Sequence, residues 1–582
     1  MHQPILIVLT LFSAAALCVA EFPEASVSAH GRIRGIVTPG EIAAIETNVW
    51  APLPGWDPIV TLDEAVDIKA ERMADGHRVR GRLPLRDAGA CRFEIVTTTR
   101  DGAVHQRVRF TAEQDVNIAG LFYWVYLPVE RFMDGRAALH RPDGPVQDVD
   151  LPAEYAGFDQ RHLLHADANR VAITGPGEAT RVELTFDRAY GTTVQDTREW
   201  SPRYNVFPCF HHGPLKKGQS VDMEVTMRVE TTVDDRPARI TFPEGGGGYA
   251  FDGLGGNFVY HFDDEVARYN VEHLRSRWAR VEMLLADWAP QPEGRDHDRP
   301  GAKLRRRFEW DRELYARGRR KLIASIWRAP EWLYESPVSG WRTTGGRIPP
   351  ERWDALIEAV VGYLAHAREE YGVTYELFSF NEPDYGVFVK LSGDEYVTLM
   401  TQLGEAIAEA GLETKLLLGD TATCKQFDFA AAAAKHEPLM QHVGAAAYHT
   451  WDGECDRWSD WAALARRHEL PLLLTEVGVD AHAWRDRSYL TTAYALRELE
   501  LYLRLLRHAR PTAMLEWEWT GDYRTVAFVE KDGERVAEPM LRHWYLRHLA
   551  NLTPPRAVGL AAESDHPAVL PALFVTDAFR EA

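Results

Sequence analysis

Two glutamates in this chain follow strand-like runs in matching fashion. Phe378-Ser379-Phe380 leads into Asn381-Glu382-Pro383, and Leu472-Leu473-Leu474 leads into Thr475-Glu476-Val477-Gly478. A carboxylate at the end of an apolar run costs free energy unless it points into a wet cleft or finds a partner. Two such carboxyls facing each other can share a reaction. One, protonated, donates to a departing oxygen while the other attacks carbon or activates water. Cleavage of a glycosidic bond needs that pair. Asn381, beside Glu382, would hydrogen-bond a hydroxyl next to the reacting carbon. Glu516 and Glu518 are rival carboxylates in Glu516-Trp517-Glu518-Trp519; Glu476 is preferred as nucleophile because its context matches that of Glu382.

Other residues would support the pair. His449 would hold the acid or a substrate hydroxyl. Asp287 would bind a hydroxyl of the terminal sugar. Of 18 tryptophans, 14 lie at or beyond Trp278, so aromatic faces are concentrated in the same part of the chain as the two glutamates. Trp288, Trp332, Trp341, Trp451 and Trp519 each follow a strand-like run. Aromatic rings there would stack on the apolar faces of sugar rings. Packing of long loops is the plain alternative for each. Arg295, Arg299 and Arg305–Arg307 read as a solvated charge run rather than as ligands of an acidic sugar.

The elements that must position these side chains can be counted. Strand-like runs cover Ala250–Leu254, Trp278–Leu285, Lys321–Trp327, Glu376–Phe380, Lys415–Gly419, Val443–Tyr448, Pro471–Thr475 and Ala513–Trp517. Helical stretches lie between most of them. In Pro350–Tyr371 the apolar residues Trp353, Leu356, Ile357, Val360, Val361 and Leu364 recur at helical spacing. Eight strand–helix units suit a (β/α)8 TIM barrel, whose chemistry sits at the C-terminal strand ends. A doubly wound open sheet is the rival, but it predicts a Gly-rich phosphate turn and gives no reason for eight units.

Ahead of the barrel the texture is all-β. Runs such as Glu41–Trp50, His77–Leu83 and Cys91–Thr98 alternate and are broken by turn residues. The expected organisation is a signal peptide at 1–20, an immunoglobulin-like sandwich at 21–113, a second sandwich at 114–240, the catalytic barrel at 241–550 and a short tail at 551–582. Gly245–Ala250 reads as a linker. Met1–Ala20 has a short apolar run ending in small residues, as an export signal does. A secreted or periplasmic protein, with no membrane insertion after cleavage, is the expectation.

The formal charge of −20 disfavours a nucleic-acid partner, which needs a basic face. No two of the 22 histidines stand in a His-x-His pattern, and the cysteine spacing fits no zinc site, so neither a metal nor a cofactor is expected.

The chain resembles the clan A glycoside hydrolases, retaining (β/α)8 enzymes with an acid/base Glu after Asn at strand four and a nucleophilic Glu at strand seven. Within that clan it is most similar to glycoside hydrolase family 30. Phe251-Asp252-Gly253-Leu254-Gly255-Gly256-Asn257-Phe258, Trp327-Arg328-Ala329-Pro330-Glu331-Trp332-Leu333 and Asn381-Glu382-Pro383 carry the likeness, over roughly 242–550. The resemblance implies Glu382 as acid/base, Glu476 as nucleophile and a carbohydrate substrate. It departs at strand six, where His449-Thr450-Trp451 stands in place of His-Trp-Tyr, so that either Tyr448 or Trp451 would lie beside Glu476, and in placing its β-rich material first. A glycan-binding protein on a barrel that hydrolyses nothing is the alternative.

Overall fold

In the computed structural model the described residues are 23–576, apart from 40–41, 233, 243–247, 293–299, 319, 339–344, 452–454, 555 and 567. The expected signal peptide, half of the expected linker (245–247), Arg295, Arg299 and Trp341 lie outside them. The chain forms two compact units, one built on Ala238–Ala481 and Arg497–Ala582, the other on the residues up to Pro237 with His482–Leu496. No described helix is long and apolar enough to cross a membrane.

The first unit holds a closed barrel of eight parallel strands. They are β1 (Gly253–Phe258), β2 (Trp278–Glu282), β3 (Lys321–Ile326), β4 (Leu377–Phe380), β5 (Lys415–Thr421), β6 (Val443–His449), β7 (Leu472–Val477) and β8 (Ala513–Glu516). Each pairs with the next, and β8 pairs with β1. Helices such as Glu265–His273, Trp353–Tyr371, Gly393–Glu409 and Leu541–Leu552 follow the strands. Strands covered on both faces must be apolar on both, so they read as unbroken runs like Leu322-Ile323-Ala324. Helix ends are marked locally. Ser392 and Glu395 form a capping box, and Gly372 takes the left-handed conformation (φ 66°) that closes Trp353–Tyr371.

The barrel interior changes character along its axis. Near the N-terminal ends of the strands, Trp278, Ile323, Leu377, Ala447, Leu473 and Ala513 form an apolar plug. Side chains two residues apart on a strand share a face. Two residues further along stand Arg280, Ser325, Ser379, His449 and Thr475, so a polar layer lies on the plug towards the C-terminal ends.

All eight expected strands are barrel members, with one adjustment. The expected run Ala250–Leu254 is interrupted at Asp252, just before Gly253, whose φ of 104° favours glycine. Tyr249–Phe251 instead pairs with Ala557–Leu560, which in turn pairs with Leu573–Val575. The expected tail therefore contributes strands to the barrel unit.

In the second unit the expected boundary at 113/114 falls inside one sheet. Its strands run in the order Val66–Met73, Gly76–Pro84, Ala90–Arg100, Ala103–Ala112, Ser220–Thr231, Thr180–Asp196, Arg203–His212, Gly120–Pro128, Glu46–Pro52 and Ile59–Thr61. Ala103–Ala112 pairs with Ser220–Thr231, and Glu46–Pro52 pairs with Gly120–Pro128. One apolar cluster joins Val49, Phe93 and Phe110 to Val125, Leu184 and Met223. The expectation of two separate sandwiches is thus corrected. Alternation and turn residues mark strands, but they do not say which distant strand each one pairs with.

Candidate active site

Glu382 stands just past the end of β4, with Asn381 before it. Its backbone has φ 46°, a left-handed conformation uncommon for a residue with a side chain. The Glu382 N–H donates to the Asp420 carbonyl (3.0 Å), and the Asn381 N–H to that of Ile326 (2.9 Å). Both residues are buried. Glu476 lies in β7, buried and opposite His449 of β6 in the strand register.

These elements bring Glu382, Glu476 and His449 together. One ligand atom of each lies within 4.8 Å of the others. His449 Nδ1 is 2.9 Å from Glu382 Oε1 and 3.4 Å from Glu476 Oε2, and its Nε2 is 3.2 Å from Asp420 Oδ1. Burial works against a charge on His449. Glu476, Asp420 and Glu382 overcome it and hold the ring as an imidazolium, its pKa pushed up to about 10. Both ring nitrogens face carboxylates, so the trio forms one hydrogen-bond network.

Arg280 of β2 ties the network from below. Its Nη1 donates to Glu476 Oε1 (2.7 Å) and Asn257 Oδ1 (3.1 Å), its Nη2 to Asn381 Oδ1 (2.6 Å) and Asp420 Oδ2 (2.8 Å), and its Nε to Ser325 Oγ (2.9 Å). Asp420 also accepts from Ser379 (2.7 Å) and from the Thr475 hydroxyl. Burial opposes its charge, but Arg280, His449 and Thr475 hold its carboxyl far below the ordinary range. Glu476 is lifted above the usual carboxylate value, first by burial and also by Glu382, while His449 and Arg280 pull it back.

Trp451 Nε1 donates to Glu476 Oε2 at 3.0 Å, so each oxygen of Glu476 has an N–H donor. Gly478 makes room for this ring: a Cβ there would lie 2.4 Å from Trp451 Cζ3. The Trp517 ring lies 6.2 Å from Trp451, 6.1 Å from Trp327 and 6.3 Å from Tyr260. Arg280 stacks 4.3 Å from the Trp327 ring. Trp451 thus links Glu476 to a group of rings made by Trp517, Trp327 and Tyr260.

The structure sorts the remaining expectations. Asn381, His449 and Trp451 are at the pair. Tyr448 is not: it is fully buried against Trp461 (5.0 Å), because successive side chains on a strand alternate and His449 takes the inward face. Trp288 packs among Tyr363 and His366 rather than lining the cleft, and Trp519 is 0% exposed against Gly256 and Phe258. Large apolar rings there bury more area in the packing than in a cleft wall. Trp332 is half-buried and donates to the Ala289 carbonyl (2.8 Å). Asp287 pairs with Lys303 Nζ (2.8 Å). Glu516 is buried and pairs with Arg542. Arg307 is buried with Asp311, so the charge run at Arg305–Arg307 is not wholly solvated.

Sequence reasoning missed Arg280, Asp420, Trp327, Trp517 and Tyr260. Arg280 had a signal, being a lone cation inside the apolar run Trp278–Glu282. Asp420 falls one residue beyond the expected end of β5. A disulfide between Cys424 and Cys455 joins the loops after β5 and β6; Cys91 and Cys209 are buried thiols.

No family model matches the chain, and no curated protein does. Solved structures similar to it include SrfJ from Salmonella typhimurium, at 18% identity over 60% of this chain and 86% of that one, with a TM-score of 0.45. A GH30 endoxylanase from Clostridium papyrosolvens is 13% identical over 58% of this chain and 82% of its own (TM-score 0.46). A GH39 β-xylosidase from Caulobacter crescentus is 18% identical over 55% and 75% (TM-score 0.40). At such identities the function must be read from the site itself.

Proposed function

We propose that this protein is a retaining glycoside hydrolase acting on β-glycosidic bonds of an oligo- or polysaccharide. The observation that carries the reading is the approach of Glu382 and Glu476, with ligand atoms within 4.8 Å of each other at the C-terminal mouth of the barrel. Retaining enzymes hold their carboxyls about 5–5.5 Å apart, whereas inverting ones need about 6.5–9.5 Å to admit water between them.

Glu476 attacks the anomeric carbon as Glu382 gives its proton to the departing oxygen. The C–O bond breaks and a glycosyl ester forms on Glu476. Glu382 then takes a proton from water, whose oxygen attacks the same carbon and frees Glu476. Donors on both oxygens of Glu476 favour its carboxylate form. The His449 imidazolium, against Glu382 Oε1, stabilises the negative charge left there when the proton departs. Arg280 positions Glu476 and Asn381 together. Trp451, half-buried beside Glu476, offers a face for sugar stacking.

Export to the cell exterior or periplasm belongs to the same reading. It is supported by the apolar start of the chain, and a disulfide suits an oxidising compartment.

Aryl β-glycosides assayed with purified variants provide the test. Glu382→Ala lowers kcat by about 10²–10⁴-fold, least for the best leaving groups, and Glu476→Ala loses at least as much. Unchanged turnover in both variants would sink the proposal. A wild-type protein that binds oligosaccharide and cleaves none would favour the glycan-binding alternative.

A further inference from the structure

Ten acidic side chains are buried among the described residues. Nine have an arginine or histidine nitrogen within 4.0 Å. Asp311 has Arg307, Glu498 and Glu516 share Arg542, and the three acids of the site have Arg280 or His449. The tenth is Glu518, which is 0% exposed. The Thr520 hydroxyl donates to its Oε1 at 2.6 Å, and its Oε2 meets no donor among the described residues. An unpaired buried carboxylate costs several kcal/mol, so the group rests as a neutral acid. Burial and the neighbouring acids Asp522, Asp264 and Glu476 all push it that way.

Glu518 also sits beside the reaction centre. It follows Trp517, the ring that meets Trp451, Trp327 and Tyr260. The Tyr260 hydroxyl lies in the combined field of Glu282, Glu518 and Glu476. Glu282, at the end of β2, is another carboxyl that burial raises, to about 7. The charged groups facing Glu518 are therefore acids contributed by three segments: the turn before Glu265–His273, the end of β7 and the loop after β8.

Each of the other nine buried acids has a cation, in several cases a shared one. Glu518 has none among the described residues. We propose that here the cation arrives with the substrate: the sugar seated against Glu476 carries an unacetylated amine, and Glu518 receives its ammonium. This deepens the glycosidase reading and rests on it. On binding, the Glu518 carboxyl proton leaves to solvent and the ammonium takes its place, so charge balances. An acetylated amine, which is neutral, cannot make this exchange.

The test compares matched aryl β-glycosides: glucosaminide against glucoside, and galactosaminide against galactoside. The wild-type protein is expected to show a kcat/KM about 10–100-fold higher for the amine member of at least one pair, the range of a hydrogen bond to a charged group. Glu518→Gln, which can still accept from Thr520, should bring that ratio towards one. A wild-type ratio at or below one in both pairs, or an unchanged ratio in Glu518→Gln, overturns the proposal. Titration calorimetry of wild-type protein in buffers of different ionisation enthalpy adds a readout that needs neither turnover nor the variant. A glucosamine tetramer should bind more tightly than cellotetraose and release a proton on binding. Equal binding or no proton release overturns the proposal. Should no glycoside be cleaved while the tetramer binds with proton release, the hydrolase reading falls and the amine site stands.

Discussion

At the residue scale the site is a charge lattice. Three acids, Glu382, Asp420 and Glu476, are held by Arg280 and the ring of His449. The lattice makes stability depend on pH with a definite sign. His449 titrates near 10 in the folded chain, against an ordinary value of 6.5. A raised pKa means that its stabilisation is complete below the unfolded value and is lost as pH rises through the folded one. The wild-type protein should therefore exceed His449→Asn in melting temperature by the largest margin at pH 6, and the margin should shrink steadily up to about pH 10. Thermal melts at pH 6, 8 and 10 measure it, and a constant margin would refute the titration. At this scale Glu382 and Glu476 were legible in the sequence as a candidate pair because each interrupts an apolar run in a distinctive context. Asp420 was not, because a single acid after Gly419 looks like any loop residue until the barrel closes and brings Arg280 to it.

At the element scale the strands work as rulers. The alternation that places Trp278, Ile323, Leu377 and Leu473 in the plug places Arg280, Ser325, Ser379 and Thr475 directly above it. This explains why all eight strands could be found from apolar runs while several of the tryptophans were misplaced. A run reveals a strand, but the face a ring occupies depends on register and on bulges such as those in β5 and β7. Tyr448 and His449 show it, as neighbours on opposite faces. Close approach sets a second constraint. The Trp451 ring occupies the place where a Gly478 side chain would begin. Gly478→Ala should displace that ring, weaken its bond to Glu476 and lower kcat by about 10-fold or more, with a stability loss of about 1–3 kcal/mol. Steady-state kinetics and urea unfolding together check it; wild-type values in both would show that the contact carries no weight.

At the scale of the whole molecule, local pattern was a good guide to the barrel and a poor one to the β-rich unit. Parallel strands joined by helices follow one another in order around a barrel, so counting them yields the topology. In the β-rich unit, Ala103–Ala112 pairs with a strand more than a hundred residues further along the chain, which no local pattern announces. A fragment ending at residue 113 should therefore lack cooperative unfolding, because it leaves behind one partner strand of Ala103–Ala112 and one of Glu46–Pro52. Circular dichroism melts of that fragment decide the point, and a sharp transition would restore two independent sandwiches. The central claim concerns the barrel: Glu382 and Glu476 act as a retaining pair. Proton NMR of the sugar in the first minutes of hydrolysis of an aryl β-glycoside tests it most directly. The account predicts that the β anomer appears first and mutarotates afterwards; first release of the α anomer would contradict it.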